Sequence, residues 1–423
     1  MSIELLRSLW EGLHDGPTPS ISSLIACELD TLKGMNTYDV IVLGLGGMGS
    51  SVAYHLARRG ERVLGLERFT PAHDRGSSHG QTRVIRQCYF EHPSYVPLLL
   101  RAYDLWHELE SEAGDKLLLL PGGLMLGAED SEVVSGSLKS ARQYSLPYAM
   151  LDRGEIQRRF PAFELPQGTV GLLEPFAGLV RTEGAVLAHL RCAAARGAAL
   201  QFEEPVLSWT ATSAGVSVTT TRRSYQADRL VITPGPWAPE LLRDMDIPVS
   251  VERQVLLWFQ PKGGIDQFRP ERFPVYIWHE ATHRQPYGFP AVDGEEDGVK
   301  IAFFRKPETE VCTPETIDRR VRQDDIETMR ASIRRFLPSL DGKFLRGTTC
   351  MYTVTPDLNF VIGEHPMYAN VLVACGFSGH GFKFCSVVGD VVADCVIQGQ
   401  SRLDITLFDP KRFGTGPVMK GGA

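Results

Sequence analysis

No Cys-x-x-Cys pair occurs anywhere in the 423 residues, which excludes the common zinc-ribbon and dithiol frameworks. The eight cysteines stand singly at 27, 88, 192, 312, 350, 375, 385 and 395, the scatter of a reduced, cytoplasmic protein rather than a secreted disulfide scaffold. Long apolar runs are also missing. Lys116-Leu117-Leu118-Leu119-Leu120-Pro121 falls far short of the roughly 18 residues that a membrane span needs. Positive charge is outnumbered, 44 Lys and Arg against 51 Asp and Glu, and the net charge of −7 argues against nucleic acid or an anionic membrane as partner. There is no internal repeat or low-complexity segment. Residues 1–34 carry no basic stretch followed by an apolar core and a small-residue cleavage site.

What is present begins with a chain long enough for more than one core. Tyr38 to Glu67 organises it. Asp39-Val40-Ile41-Val42-Leu43 is an almost unbroken apolar run, as expected of a parallel strand buried on both faces. Gly44-Leu45-Gly46-Gly47-Met48-Gly49 follows, then a helix to Arg59 ended by Gly60, then a second strand Val63-Leu64-Gly65-Leu66-Glu67. Gly44 suits the tight turn, Gly46 close approach to a pyrophosphate, and Gly49 close helix–strand packing. The helix start offers free N–H groups and a positive dipole end to an anion. Glu67, at the end of the second strand, is placed to accept ribose hydroxyls. Strand, glycines, helix and acid together predict dinucleotide binding, without separating FAD from NAD.

Met35 lies just before the first strand, so residues 1–35 are expected to be an N-terminal extension with poor order. After Glu67 comes Gly76-Ser77-Ser78-His79-Gly80-Gln81-Thr82-Arg83-Val84-Ile85-Arg86. Its small residues suit phosphate or flavin edges, and Arg83 and Arg86, three apart, read either as two cations on one helical face or as a solvated basic loop. Tyr95 to Ala113 and Asp318 to Phe336 have helical spacing, and the aromatic, alternating strands between Val249 and Arg346 predict an antiparallel sheet under a pocket. Late in the chain the strand Val371 to Cys375 meets a second glycine turn, Gly376 to Lys383, and an apolar helix to Ile397. A lysine in a helix's first turn opposes the dipole, which suggests an anionic partner for Lys383.

From about Tyr38 to Phe413 the chain resembles the monomeric sarcosine oxidase family, which includes N-methyltryptophan oxidase and the sarcosine/pipecolate oxidases. Five stretches carry the likeness: the glycine fingerprint, Gly76 to Arg86, Tyr287-Gly288-Phe289-Pro290, Cys350-Met351-Tyr352-Thr353 and Gly376 to Lys383. The resemblance implies an α/β fold, a Rossmann-type FAD-binding domain (36–112, 180–248 and 353–410) interleaved with an α+β substrate domain on an antiparallel sheet (113–179 and 249–352), and a tail at 411–423. It implies oxidation of a carboxylate-bearing secondary or N-methyl amine to an imine, with oxygen reduced to peroxide by a monomer. FAD is expected to be bound through its 8α-methyl group to Cys350, with further contacts at Ser77, Thr82, Val206, Gly235, Gly379, His380 and Gly381.

The same likeness casts Arg86 and Lys383 as the grip on the substrate carboxylate, an arginine fork plus a point charge. Arg83 and His79 match residues near the flavin face, Tyr287 and Tyr352 match the walls of the substrate cavity, and Lys300 matches a lysine that promotes the reaction with oxygen. No metal site is implied. One position departs from the family: where relatives have a histidine near the substrate, this chain has Phe304, which offers no hydrogen bond. Two rival readings stand beside the oxidase: a dehydrogenase that passes electrons to a carrier, and a flavin-binding protein without turnover. The C-terminal Lys420-Gly421-Gly422-Ala423 lacks a peroxisomal address.

Overall fold

In the computed structural model, which describes residues 38–414, the strand Tyr38–Leu43 lies at the heart of an eight-stranded sheet. It pairs in parallel with Val63–Leu66 on one side and Ser224–Ile232 on the other, and the latter pairs in parallel with Tyr368–Cys375. Ile41 and Val42 are fully buried, as a strand covered on both faces requires. One face is covered by the helices Gly47–Arg58, Thr182–Ala195 and Cys385–Gln398. Against the other pack Val216, Val218 and Tyr225 of an antiparallel meander, Val206–Thr212, Gly215–Thr220 and the start of Ser224–Ile232.

The first and last of those helices lie side by side although more than 300 residues separate them. Ser51 Oγ donates to Ser386 O at 3.4 Å, and Arg59 ties down both Asp390 (2.6 Å) and Asp394 (3.0 Å). The glycine fingerprint is therefore braced by the end of the chain.

A second eight-stranded sheet runs Phe344–Val354, Ser250–Phe259, Val299–Arg305, Gln285–Gly288, Val275–Trp278, Gly123–Gly127, Val170–Glu174, Ala149–Asp152. It is antiparallel except at one seam, where Val275–Trp278 runs parallel to Gly123–Gly127. Those two strands come from distant parts of the chain, so no hairpin fixes their direction. The helix Gln323–Phe336 buries Ile326, Met329, Ile333 and Phe336 against this sheet. A small sheet of Thr82–Ile85, Gly178–Arg181 and Leu118–Leu119 completes the described strands.

Three local expectations change. The helix expected over 318–336 begins only at Gln323, because the buried Arg253 takes the carbonyls of Asp318 (2.8 Å) and Arg320 (2.7 Å) that a helix would have used internally. Thr82–Ile85 is a strand and Arg86 lies just beyond it, so Arg83 and Arg86 do not share a helical face. Lys383 lies in a 3₁₀ turn, Phe382–Phe384, that precedes the last α-helix, so its position is not the first turn of that helix. The expected extension 1–35 and residues 415–423 of the tail lie outside the described residues.

Candidate active site

The glycine turn is closed by packing. A Cβ on Gly49 would lie 1.7 Å from Gly44 O, so only glycine lets the helix start this close to the strand end. Thr233 Oγ1 donates to Leu43 O and Gly44 O at 3.0 and 2.7 Å, and Ser78 Oγ accepts from Gly47 N at 3.0 Å. Glu67 is buried, its carboxylate accepting from Leu45 N (2.8 Å) and Phe69 N (3.0 Å), with His73 Nε2 at 3.3 Å. Two backbone donors thus fix the acid relative to the turn.

From this cradle one continuous cavity runs to the second glycine turn. Its wall includes Gly44, Gly46, Glu67, Ser77, Arg83, Arg86, Val206, Gly235, Tyr287, Phe304, Tyr352, Gly379, His380, Gly381 and Lys383. Gly49, His79, Thr82, Lys300 and Cys350 are not on the wall but stand behind it. Cys350 Sγ is 3.5 Å from Arg83 Nη2 and 3.7 Å from Ser77 O, both residues of the wall. Arg83 also donates to Ser77 O (3.1 Å) and Thr82 O (2.9 Å). Burial pushes the Cys350 thiol up, but His79 and the Arg83 charge outweigh it and bring the thiol down to about 7. Cys375, Cys395 and Cys192 are instead pushed up by burial, to about 12, 11 and 11. His79 itself is buried, with Nε2 unpartnered among the described residues.

At the far end two cations meet. Arg86, 1% exposed, donates through Nη2 to both carboxylate oxygens of Glu91 at 2.8 and 2.6 Å and through Nη1 to Cys88 O, while its Nε has no hydrogen-bond partner among the described residues. Burial pushes the Glu91 carboxyl up, but Arg86 prevails and holds it at about 2. Lys383 Nζ donates to His380 O at 2.7 Å, and burial, with Arg86 nearby, lowers its ammonium to about 7. His380 is buried and lowered to about 3, hence neutral. Leu358 O can only accept, so His380 Nε2 carries the proton and Nδ1 faces the Tyr89 hydroxyl. The Phe304 ring stands 6.4 Å from that of His380 and 6.1 Å from Phe90. Among the described residues no cluster of three His, Cys, Asp or Glu side chains is placed to hold a metal.

Three acids that sequence reasoning passed over organise these groups. Glu91 partners Arg86; Glu174 accepts from Gln87 N (2.5 Å) and Cys88 N (2.9 Å), fixing the chain just after Arg86; Glu183 accepts from Gly80 N and Gln81 N. Only Glu91 carried a signal, as a lone charge directly after the apolar Cys88-Tyr89-Phe90, where a buried carboxylate needs a cation.

A nucleotide cradle on a parallel sheet, joined by one cavity to a cationic pocket over a second sheet, defines a flavoprotein oxidoreductase. The FAD dependent oxidoreductase family model matches residues 39–395, and the chain belongs to that family. It is similar to monomeric sarcosine oxidase of Streptomyces avermitilis, 54% identical over 90% of this chain and 99% of the relative. It is also similar to N-methyl-L-tryptophan oxidase of Yersinia pestis, 34% identical over 89% of this chain and 99% of the relative. Among solved structures, NikD, an unusual amino acid oxidase essential for nikkomycin biosynthesis, superposes with a TM-score of 0.77 at 27% identity, over 89% of this chain and 98% of the other. Among the described residues no helix is long and apolar enough to cross a membrane.

Proposed function

We propose that the chain oxidises a carboxylate-bearing secondary or N-methyl amine, of the sarcosine, N-methyl amino acid or pipecolate kind, to an imine with release of hydrogen peroxide. The observation that carries this reading is the pair of buried cations, Arg86 and Lys383, at the end of the cavity. Arg86 Nε lacks a partner and Lys383 Nζ has protons left over, and buried donors of this kind are satisfied by an incoming carboxylate.

The residues present fit FAD. A cradle that a single Cβ would fill, the anchored Glu67, and a thiol brought down beside the cavity are what its pyrophosphate, ribose and flavin ring each require. When bound, FAD supplies the acceptor for the two electrons of the C–H bond beside the amine nitrogen and returns them to oxygen. The chain's own residues do the rest. Gly44 and Gly46 with the helix start would hold the pyrophosphate, with Gly49 behind them setting the close approach of helix to strand; Glu67 would accept from the ribose, and Ser77, Val206, Gly235, Gly379, His380 and Gly381 would border the remainder, with Thr82 behind that wall. Cys350, kept reactive by His79 and Arg83, would be the point of attachment for the flavin's 8α-methyl group. Arg86 and Lys383 orient the carboxylate, Tyr287 and Tyr352 wall the amine, and Phe304 keeps that wall apolar. Orientation by such a clamp lowers the barrier by removing the entropy of alignment. Lys300 stabilises the negative charge that oxygen gains.

In this reading residues 36–112, 180–248 and 353–410 serve FAD, and 113–179 with 249–352 serve the amine. The unpaired cysteines support a cytoplasmic site of action, and the name of the Streptomyces relative supports a monomer. A peroxidase-coupled screen of sarcosine, N-methyl amino acids, pipecolate, proline and glycated amino acids tests the proposal. Peroxide from at least one carboxylate-bearing secondary amine is expected. Anaerobic bleaching of the flavin without peroxide in air would indicate a dehydrogenase, and no bleaching by any of them would remove the proposal.

A further inference from the structure

Lys300 is 4% exposed, and its three ammonium protons already have acceptors within the chain: Gly80 O at 2.6 Å, Thr82 O at 2.7 Å and Thr82 Oγ1 at 3.2 Å. All three acceptors belong to one tight turn. That turn is unusual, because Gly80 (φ +91°) and Gln81 (φ +70°) both occupy the left-handed region, which is strained for a residue other than glycine. Such backbone persists only where its surroundings over-determine it.

The surroundings here converge on one carboxylate. Glu183 Oε1 accepts from Gly80 N at 2.7 Å, and its two oxygens share Gln81 N at 3.1 and 3.0 Å. Thr182 Oγ1 donates to Glu183 Oε2, and Thr182 N donates to Gln81 O at 3.0 Å. The Gln81 amide oxygen accepts from Trp258 Nε1 (3.1 Å) and Arg346 Nη2 (3.0 Å). Glu183 lies in the first turn of the helix Thr182–Ala195, where a carboxylate is favoured by the dipole.

Charge points the same way. The groups that act on Lys300 are Arg83 from the strand Thr82–Ile85, Arg346 and Cys350 from Phe344–Val354, and Glu183 from the helix. Burial lowers the ammonium most, Arg83 and Arg346 lower it further, and Glu183 and Cys350 raise it. A thioether at Cys350 removes that sulfur as an anion. Glu183 is then the remaining carboxylate facing the two cations Lys300 and Arg83.

We infer that Glu183 is the positioning residue for Lys300: it locks the Gly80–Gln81 turn that presents the Gly80 and Thr82 oxygens to the ammonium, and it serves as the counter-anion of that ammonium. The inference rests on the reading of Lys300 as the group that serves oxygen. Glu183 is not on the wall of the cavity, its carboxylate being taken up by Gly80 N, Gln81 N and Thr182 Oγ1, so its loss is expected to separate the two halves of turnover.

The test compares holoenzyme variants Glu183→Gln, Glu183→Asp and Lys300→Met by stopped flow, with competitive acetic anhydride labelling of Lys300 followed by peptide mass spectrometry as a readout independent of turnover. Glu183→Gln is expected to leave anaerobic reduction by the amine within twofold. It should slow reoxidation about tenfold and move the midpoint of Lys300 labelling down by about one pH unit. Glu183→Asp keeps the charge but is a methylene too short to hold both N–H groups, so reoxidation should slow while the midpoint stays closer to wild type. This second variant decides the matter should Glu183→Gln fail to fold. If Lys300→Met is slow in oxygen but both Glu183 variants reoxidise within twofold of wild type with an unmoved midpoint, the inference is overturned and the role of Lys300 stands. If Lys300→Met reoxidises at the wild-type rate, the reading of Lys300 is wrong and the inference falls with it.

Discussion

Binding of a simple carboxylate should weaken steeply above neutral pH, and Lys383 should be the cause. The ammonium of Lys383 is lowered to about 7 in the free pocket, by burial first and by Arg86 second. A bound carboxylate favours the charged form and raises that value. Affinity is therefore complete below pH 7 and is lost as the pH rises, by about tenfold per unit until the value in the complex is reached. At pH 9 only about 1% of the free enzyme carries the ammonium, so the dissociation constant should have risen about 100-fold, equivalent to about 2.7 kcal/mol. Arg86 remains charged throughout. Glu91, at about 2, and His380, at about 3, do not titrate between pH 6 and 9 and add no step of their own. Methylthioacetate suits the measurement because it carries no amine to titrate. Its binding can be followed through the flavin spectrum from pH 6 to 9. In Lys383→Met the curve should be flat and weak, near the wild-type value at high pH. A flat curve in the wild type, or the same slope in both proteins, would refute the reasoning.

Four further outcomes are expected. Acid-precipitated protein should stay yellow and Cys350→Ser should release its flavin into the supernatant, since Cys350 is the described cysteine whose thiol is brought down rather than up. Lys300→Met should slow reoxidation by oxygen far more than anaerobic reduction, read from the two phases of a stopped-flow trace. Phe304→His should shift preference from larger or more apolar amines toward sarcosine, with roughly 1–3 kcal/mol at stake in the ratio of kcat/KM for pipecolate and sarcosine. Gly49→Ala should cost roughly 3 kcal/mol, the upper end of overpacking, because the new methyl meets a backbone oxygen that cannot move aside; loss of flavin content and a lower Tm would report it.

The parallel core was legible because its signals are local. A continuous apolar strand, a glycine turn and a helix with one apolar face need no distant partner to be recognised, and Tyr38–Leu43, Gly47–Arg58 and Val63–Leu66 follow them closely. The misread helix start at 318 shows the opposite case. Its backbone carbonyls are claimed by Arg253, a residue 65 positions away from Asp318, and no pattern within the segment announces that claim. The site divides along the same line. Motif residues such as Arg86, Cys350 and Lys383 could be picked out by the company they keep in sequence. Glu174 and Glu183 could not, because each acts by satisfying backbone donors brought to it by the fold, and an isolated acid in a sequence is ordinarily a solvated one; Glu91 is marked only by the apolar run before it.

The bracing of the helix Gly47–Arg58 by Cys385–Gln398 has a consequence for biosynthesis. A ribosome completes the fingerprint early, yet Arg59 has to wait for Asp390 and Asp394, and Ser51 for Ser386, until nearly the whole polypeptide has been made. Contacts of such long sequence separation form late, since loop closure opposes them until the intervening chain is ordered. Flavin capture is thus a terminal event in maturation. Nascent chains halted before Gln398 should emerge colourless and prone to aggregate, however much of the second sheet they contain.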